Sequence, residues 1–136
     1  MIQDTVDRET VAKMVRHFYA AILEDEILRP YFVRKLGEDF TGTRWENHLK
    51  ILDNFWMKMM TGRAGYQGDP FPSHAFIGQM YPETFEQWLK LFKVTINQFF
   101  VPEIADKFYR KADILAEQFM QYLEIGKYAD DEEEDY

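Results

Sequence analysis

The sequence predicts an all-α domain of four main helices with short pieces between them. Three observations carry this. Four stretches repeat apolar residues at three- and four-residue steps, two of them open on a proline, and no stretch alternates apolar and polar residues as a half-buried strand does. A length of 136 residues suits one domain with a sizeable core.

The first helix is expected from about Arg8 to Leu23, with Asp7 as its N-cap and Glu9 in the first turn. Val11, Met14, Val15, Phe18, Tyr19 and Ile22 share one face. Pro30 is expected to stop or redirect the chain, and VRKLGEDFTGTR reads as a short element and a loop. The second helix should start near Thr43 and end before Gly62. Its stripe is Trp45, His48, Leu49, Leu52, Phe55, Trp56 and Met59, with Asn47, Lys50, Asp53 and Lys58 over the other side. Residues 61–81 are too rich in glycine and proline for more than one short helix, between Pro72 and Gly78. The third helix begins near Pro82 with a stripe of Phe85, Trp88, Leu89, Phe92, Ile96 and Phe99. The fourth runs from Pro102 to about Ile125, with Gly126 as a possible C-cap.

Composition excludes several classes. There is no cysteine, so disulfides, iron–sulfur clusters and thioether-linked haem are out. The opening MIQDTVDRE lacks the basic start and apolar run of a signal peptide, and no stretch reaches the roughly 18 apolar residues of a membrane span, so a cytoplasmic, membrane-free protein is expected. Net charge is −8, but DDEEED at 130–135 carries six of the acidic residues. We expect a domain over residues 1–127 and a disordered acidic tail over 128–136. Without the tail the balance is ordinary, and nothing basic suggests nucleic acid as a partner.

The three histidines are the candidates for chemistry. His48 lies on an apolar stripe, where a buried histidine bonded to a backbone or hydroxyl partner is the bland reading and a ligand or gate facing a cavity the functional one. His74, in GYQGDPFPSHAF, belongs to no stripe, yet Phe71, Phe76 and Ile77 beside it suggest a segment folded inward. His17 carries no assigned role. Paired Glu-x-x-His motifs, H-E-x-x-H, a P-loop, G-x-S-x-G and G-x-G-x-x-G are all absent. One chemistry does fit few histidines, 17% aromatic residues and helices alone: a planar macrocycle between helices, its iron held by one neutral histidine. His74 would be that ligand and His48 would face it from the other side.

Several motifs in order resemble the truncated haemoglobins, of the group III (P-type) branch. FYAAILEDEILRPYF resembles that family's B and C helices, WENHLKILDNFW its E helix with His48 at the distal histidine, GYQGDPFPSH the loop into its F segment with His74 at the proximal ligand, and FEQWLKLF its G helix with Trp88 at the distal tryptophan. The glycine pairs of the other truncated groups are missing, as the third group leads one to expect. The resemblance implies a two-over-two α-helical sandwich around haem b. It implies His74 on the iron, Phe18, Leu49, Leu52, Phe55, Tyr66 and Trp88 around the cofactor, and Tyr19, Trp88 and His48 as the polar residues facing the ligand.

A bound ligand that gathers negative charge, as O₂ does, would be held by the Tyr19 hydroxyl and Trp88 indole N–H, whereas CO would gain less. Core packing is the bland reading of the same two side chains. Tight O₂ binding disfavours transport. The expected function is therefore binding of O₂, NO or CO with redox chemistry such as NO dioxygenation or a peroxide-linked reaction, served by an unidentified reductase and performed by a monomer. Whether it turns over as an enzyme stays open. The alternatives are a scavenger or sensor without turnover, and a haem-free helical interaction module.

Overall fold

Asp7 sets where the first helix begins. In the computed structural model, which describes residues 2–62 and 80–123, Asp7 Oδ1 accepts the Thr10 N–H at 2.8 Å and caps α1, Arg8–Leu23. The cap satisfies one of the N–H groups that a helix start leaves unbonded. The same hydrogen bonds from Thr10 hold the Asp7 carboxyl below its ordinary pKa. The buried face of α1 carries the expected six apolar residues together with Thr10.

Helix α2, Arg29–Leu36, corrects the reading of Pro30. This proline lies in the first turn of a helix and opens it. A missing N–H does no harm there, because no carbonyl one turn back awaits it. Gly37 ends α2 with φ 87°, a conformation that a side chain would strain. Helix α3 spans Thr43–Thr61 and stops at the left-handed Gly62. Helix α4, Pro82–Phe99, has a reciprocal cap in which the Tyr81 N–H donates to Thr84 Oγ1 at 3.2 Å. Helix α5, Pro102–Tyr122, completes the described chain. The expected short helix between Pro72 and Gly78, the extension to Ile125 with its Gly126 cap, and the acidic tail lie outside the described residues.

Helix α1 packs against both α3 and α4, α4 packs along α5, and α3 touches α5. The arrangement is two helices, α1 and α3, over two, α4 and α5. The described residues contain no strand. Gln3 alone forms a bridge, donating to the Phe99 carbonyl and accepting from the Val101 N–H, both at 2.9 Å. It ties the start of the chain across the joint between α4 and α5. No helix among the described residues is long and apolar enough to cross a membrane.

Rings fill the centre. Phe92 is fully buried, lies parallel to Trp88 at 5.4 Å and stacks on Trp56 at 5.0 Å, while Phe100 stacks on Phe108 at 4.8 Å. Bulky flat side chains keep helices apart while still filling the space between them. A smaller core of Phe55, Phe85, Leu115, Ala116 and Phe119 occupies one end, beside Met59 and Met80.

Asp53 is a second correction. The helical pattern puts it on the outer side of α3, yet it is 6% exposed. Arg16 of α1 explains it. One guanidinium nitrogen reaches both Asp53 oxygens at 3.0 Å and the Ala12 carbonyl at 2.8 Å. The carboxylate therefore leaves water without losing its counter-charge. Arg16→Ala should cost about 1–3 kcal/mol in urea unfolding, because it strands the buried carboxylate. Asp53→Ala should cost less, since the half-exposed Arg16 side chain can turn to water. Equal costs would mean that the buried charge is not what matters.

Candidate functional site

Three helices each bring one polar side chain to the same place. Tyr19 comes from the last part of α1, His48 from the first half of α3, and Trp88 from the second turn of α4. The Tyr19 ring is buried, with its edge or face against Phe18 at 5.1 Å, Phe32 at 5.4 Å, His48 at 5.6 Å and Trp45 at 6.1 Å. Its hydroxyl lies within hydrogen-bonding reach of the Trp88 indole. An indole N–H can only donate, so the phenol oxygen is the acceptor in this pair. The Tyr19 O–H stays available to donate elsewhere.

Trp88 is half-buried. One face covers Phe92, and Phe18 meets it edge-on at 5.6 Å. His48 is half-buried too, but its Nε2 is enclosed. Its ring stands nearly perpendicular to both Tyr19, at 85°, and Trp45, at 82°. The site is thus a small set of polar atoms in an aromatic surround, which is the kind of environment that makes each hydrogen bond count.

Burial pushes the Tyr19 phenol above its ordinary pKa, and the Trp88 hydrogen bond opposes this only in part. Tyr19 is therefore neutral and proton-bearing at any physiological pH.

The other expected contacts divide. Phe18 is buried against Tyr19 and Trp88. Leu49 is buried in the main core and Leu52 packs against that core half-buried. Phe55 belongs to the smaller core and stacks on Trp56 at 5.2 Å. His74 and Tyr66 lie outside the described residues.

Trp45 was not expected as a site residue. It is fully buried, donates its indole N–H to the Gly37 carbonyl at 2.8 Å, and touches both Tyr19 and His48. The signal was present in the sequence: Trp45 stands one helical turn before His48 on the same stripe. Phe32 and Phe40 back it, at 6.2 and 5.0 Å.

Comparison with known proteins decides the family. No protein-family model matches the chain. A group 3 truncated haemoglobin, ctb, of Campylobacter jejuni is 30% identical over 120 residues, which cover 88% of this chain and 93% of that protein. The crystal structure of a group III truncated haemoglobin from Campylobacter jejuni superposes with a TM-score of 0.82 at 31% identity, over 90% of this chain and 95% of that one. The chain belongs to the group III truncated haemoglobins. Membership makes it a globin of a haem-binding family. The donor set fits such a cofactor: neutral hydrogen-bond donors at an aromatic site suit a small polar ligand on a macrocycle.

The buried phenol of this truncated haemoglobin gives a pH prediction. The folded state binds the Tyr19 proton more tightly than the unfolded state does. This contribution to stability is complete below about pH 10, the ordinary tyrosine value, and is lost as pH rises beyond it. In an ultraviolet titration, Tyr19→Phe should leave the phenolate signal of the folded protein unchanged up to about pH 11. A loss of one tyrosine's signal near pH 10 would show that Tyr19 is not shielded.

Proposed function

We propose that this truncated haemoglobin holds haem b with His74 on the iron, binds O₂, NO and CO on the opposite side, and serves a redox or detoxifying role rather than O₂ transport. The observation that carries this reading is the meeting of Tyr19, His48 and Trp88 from three helices. Phe18, Leu49, Leu52, Phe55, Tyr66 and Trp88 are the proposed contacts of the cofactor. We place the globin domain at residues 1–127, followed by an acidic tail.

Haem, when bound, supplies a ferrous iron able to take a diatomic ligand. The chain supplies the rest. Trp88 donates to the Tyr19 oxygen and so holds the phenol in one orientation. The Tyr19 O–H, with its pKa raised by burial, keeps its proton and donates it to the ligand as a hydrogen bond. His48 stands edge-on to Tyr19 and adds a third polar group. The rings of Phe18, Phe32 and Trp45 keep water from competing for the Tyr19 hydroxyl.

Each such bond to a ligand with charged character contributes about 1.5–3 kcal/mol, or about ten- to a hundredfold in the rate of ligand loss. Charge selects the ligand: O₂ gains more than CO. A site that releases O₂ slowly favours reaction of the bound ligand over delivery.

Absorption spectra of the oxidised, dithionite-reduced and CO-treated protein test the cofactor, with His74→Ala beside them. We expect a strong Soret band that shifts with CO and is lost or badly disturbed in the variant. A folded protein that takes up no haem overturns the proposal and favours a helical interaction module. Tyr19→Phe should speed O₂ release about ten- to a hundredfold and leave CO release within a few-fold. Mixing the O₂-loaded protein with NO in a stopped-flow instrument tests the redox role. Rapid oxidation of the haem supports NO dioxygenation; its absence rejects that reaction and leaves a scavenger.

A further inference from the structure

Asp25 is fastened at every polar group it has. Its N–H donates to the Ile22 carbonyl at 3.0 Å, and its carbonyl accepts from the Arg29 N–H at 2.9 Å. Its Oδ1 accepts two backbone N–H groups, from Ile27 at 2.9 Å and Leu28 at 3.0 Å. These four bonds build the corner between α1 and α2. The remaining oxygen, Oδ2, leaves the corner and accepts from Gln87 Nε2 at 2.6 Å.

Gln87 immediately precedes Trp88 on α4, and Asp25 follows Tyr19 by six residues. Neighbouring residues on a helix point about 100° apart. A single turn of α4 thus sends one side chain outward to the fixed corner and the next one inward, to Phe18 and to the Tyr19 hydroxyl. The bond to Asp25 is short and charge-assisted, hence stronger than a neutral amide bond. Asp25 itself cannot follow a drifting α4, because four backbone bonds hold it.

We propose that Asp25 and Gln87 form a positioning brace that sets the register of α4 against α1 and thereby fixes where the Trp88 ring stands against Phe18 and beside the Tyr19 hydroxyl. Helix register matters on the scale of a hydrogen bond. A slip by one residue moves α4 by about 1.5 Å, enough to take a donor from 2.9 Å out of bonding range. Neither residue touches the ligand. Both act through Trp88. The functional half of this inference rests on the gas-binding reading above, and the structural half does not.

The chain has three tryptophans, which gives the test its internal control. In the ferrous CO-bound protein, or in the protein as purified if it carries no haem, indole N–H signals are recorded by ¹⁵N NMR for wild type, Gln87→Leu and Asp25→Asn. In Gln87→Leu we expect the Trp88 signal to shift and its exchange with water to quicken about tenfold. Trp45, bonded to the Gly37 carbonyl, and Trp56 should stay in place. Asp25→Asn keeps Oδ1 for the corner and offers an amide N–H to a flipped Gln87, so it should show a smaller change in the same direction. In the haem-loaded protein, Gln87→Leu should speed O₂ release about tenfold and CO release much less. An unchanged Trp88 signal, or equal shifts at all three tryptophans, overturns the brace. A displaced Trp88 with unaltered O₂ release upholds the brace and rejects Trp88 as a ligand-stabilising group.

Discussion

A phenol hydroxyl taken out of water needs a partner, and here the Trp88 indole of another helix stands within reach of it. The Tyr19–Trp88 pair joins α1 to α4, and α1 is also the helix against which α3 lies. Tyr19 thus stands where three helices come together. Trp45 extends the junction. Its ring touches Tyr19 and His48 while its indole is tied to the end of α2. A polar demand that would be a liability in an aliphatic core here fixes relative helix positions.

The aromatic composition is what makes this affordable. Rings are rigid, with few rotatable bonds, so ordering them costs less entropy than ordering long flexible chains of similar area. Trp88, Phe92 and Trp56 form a stack running from the candidate site into the main core. Displacement at the site is resisted by flat surfaces throughout that stack. Ion pairs do little of this work: most of those described are exposed, and Arg16–Asp53 is the one with a buried carboxylate.

Much of this was legible in the sequence, and the failures share a cause. Helical periodicity with proline and glycine boundaries located α1, α3 and α4 to within a residue or so, because those signals are local. Motif order singled out Tyr19, His48 and Trp88, and the fold sets His48 and Trp88 each beside Tyr19. Pro30 was misread because proline both ends and begins helices, and the neighbouring residues decide which. Asp53 was misread because its partner stands on another helix, and no pattern within α3 reveals Arg16. The Asp25–Gln87 bond was invisible for the same reason. Periodicity reports which face is apolar. It is silent on which polar residues meet across the fold.

Gln3 leads to a different consequence. Its two backbone bonds clip the first residues onto the joint between α4 and α5. A tether or surface attached ahead of Gln3 would transmit tension to that joint. The pull would fall on a pair of parallel-bridge hydrogen bonds before any helix began to unwind, so the clip would act as a mechanical fuse for the bundle.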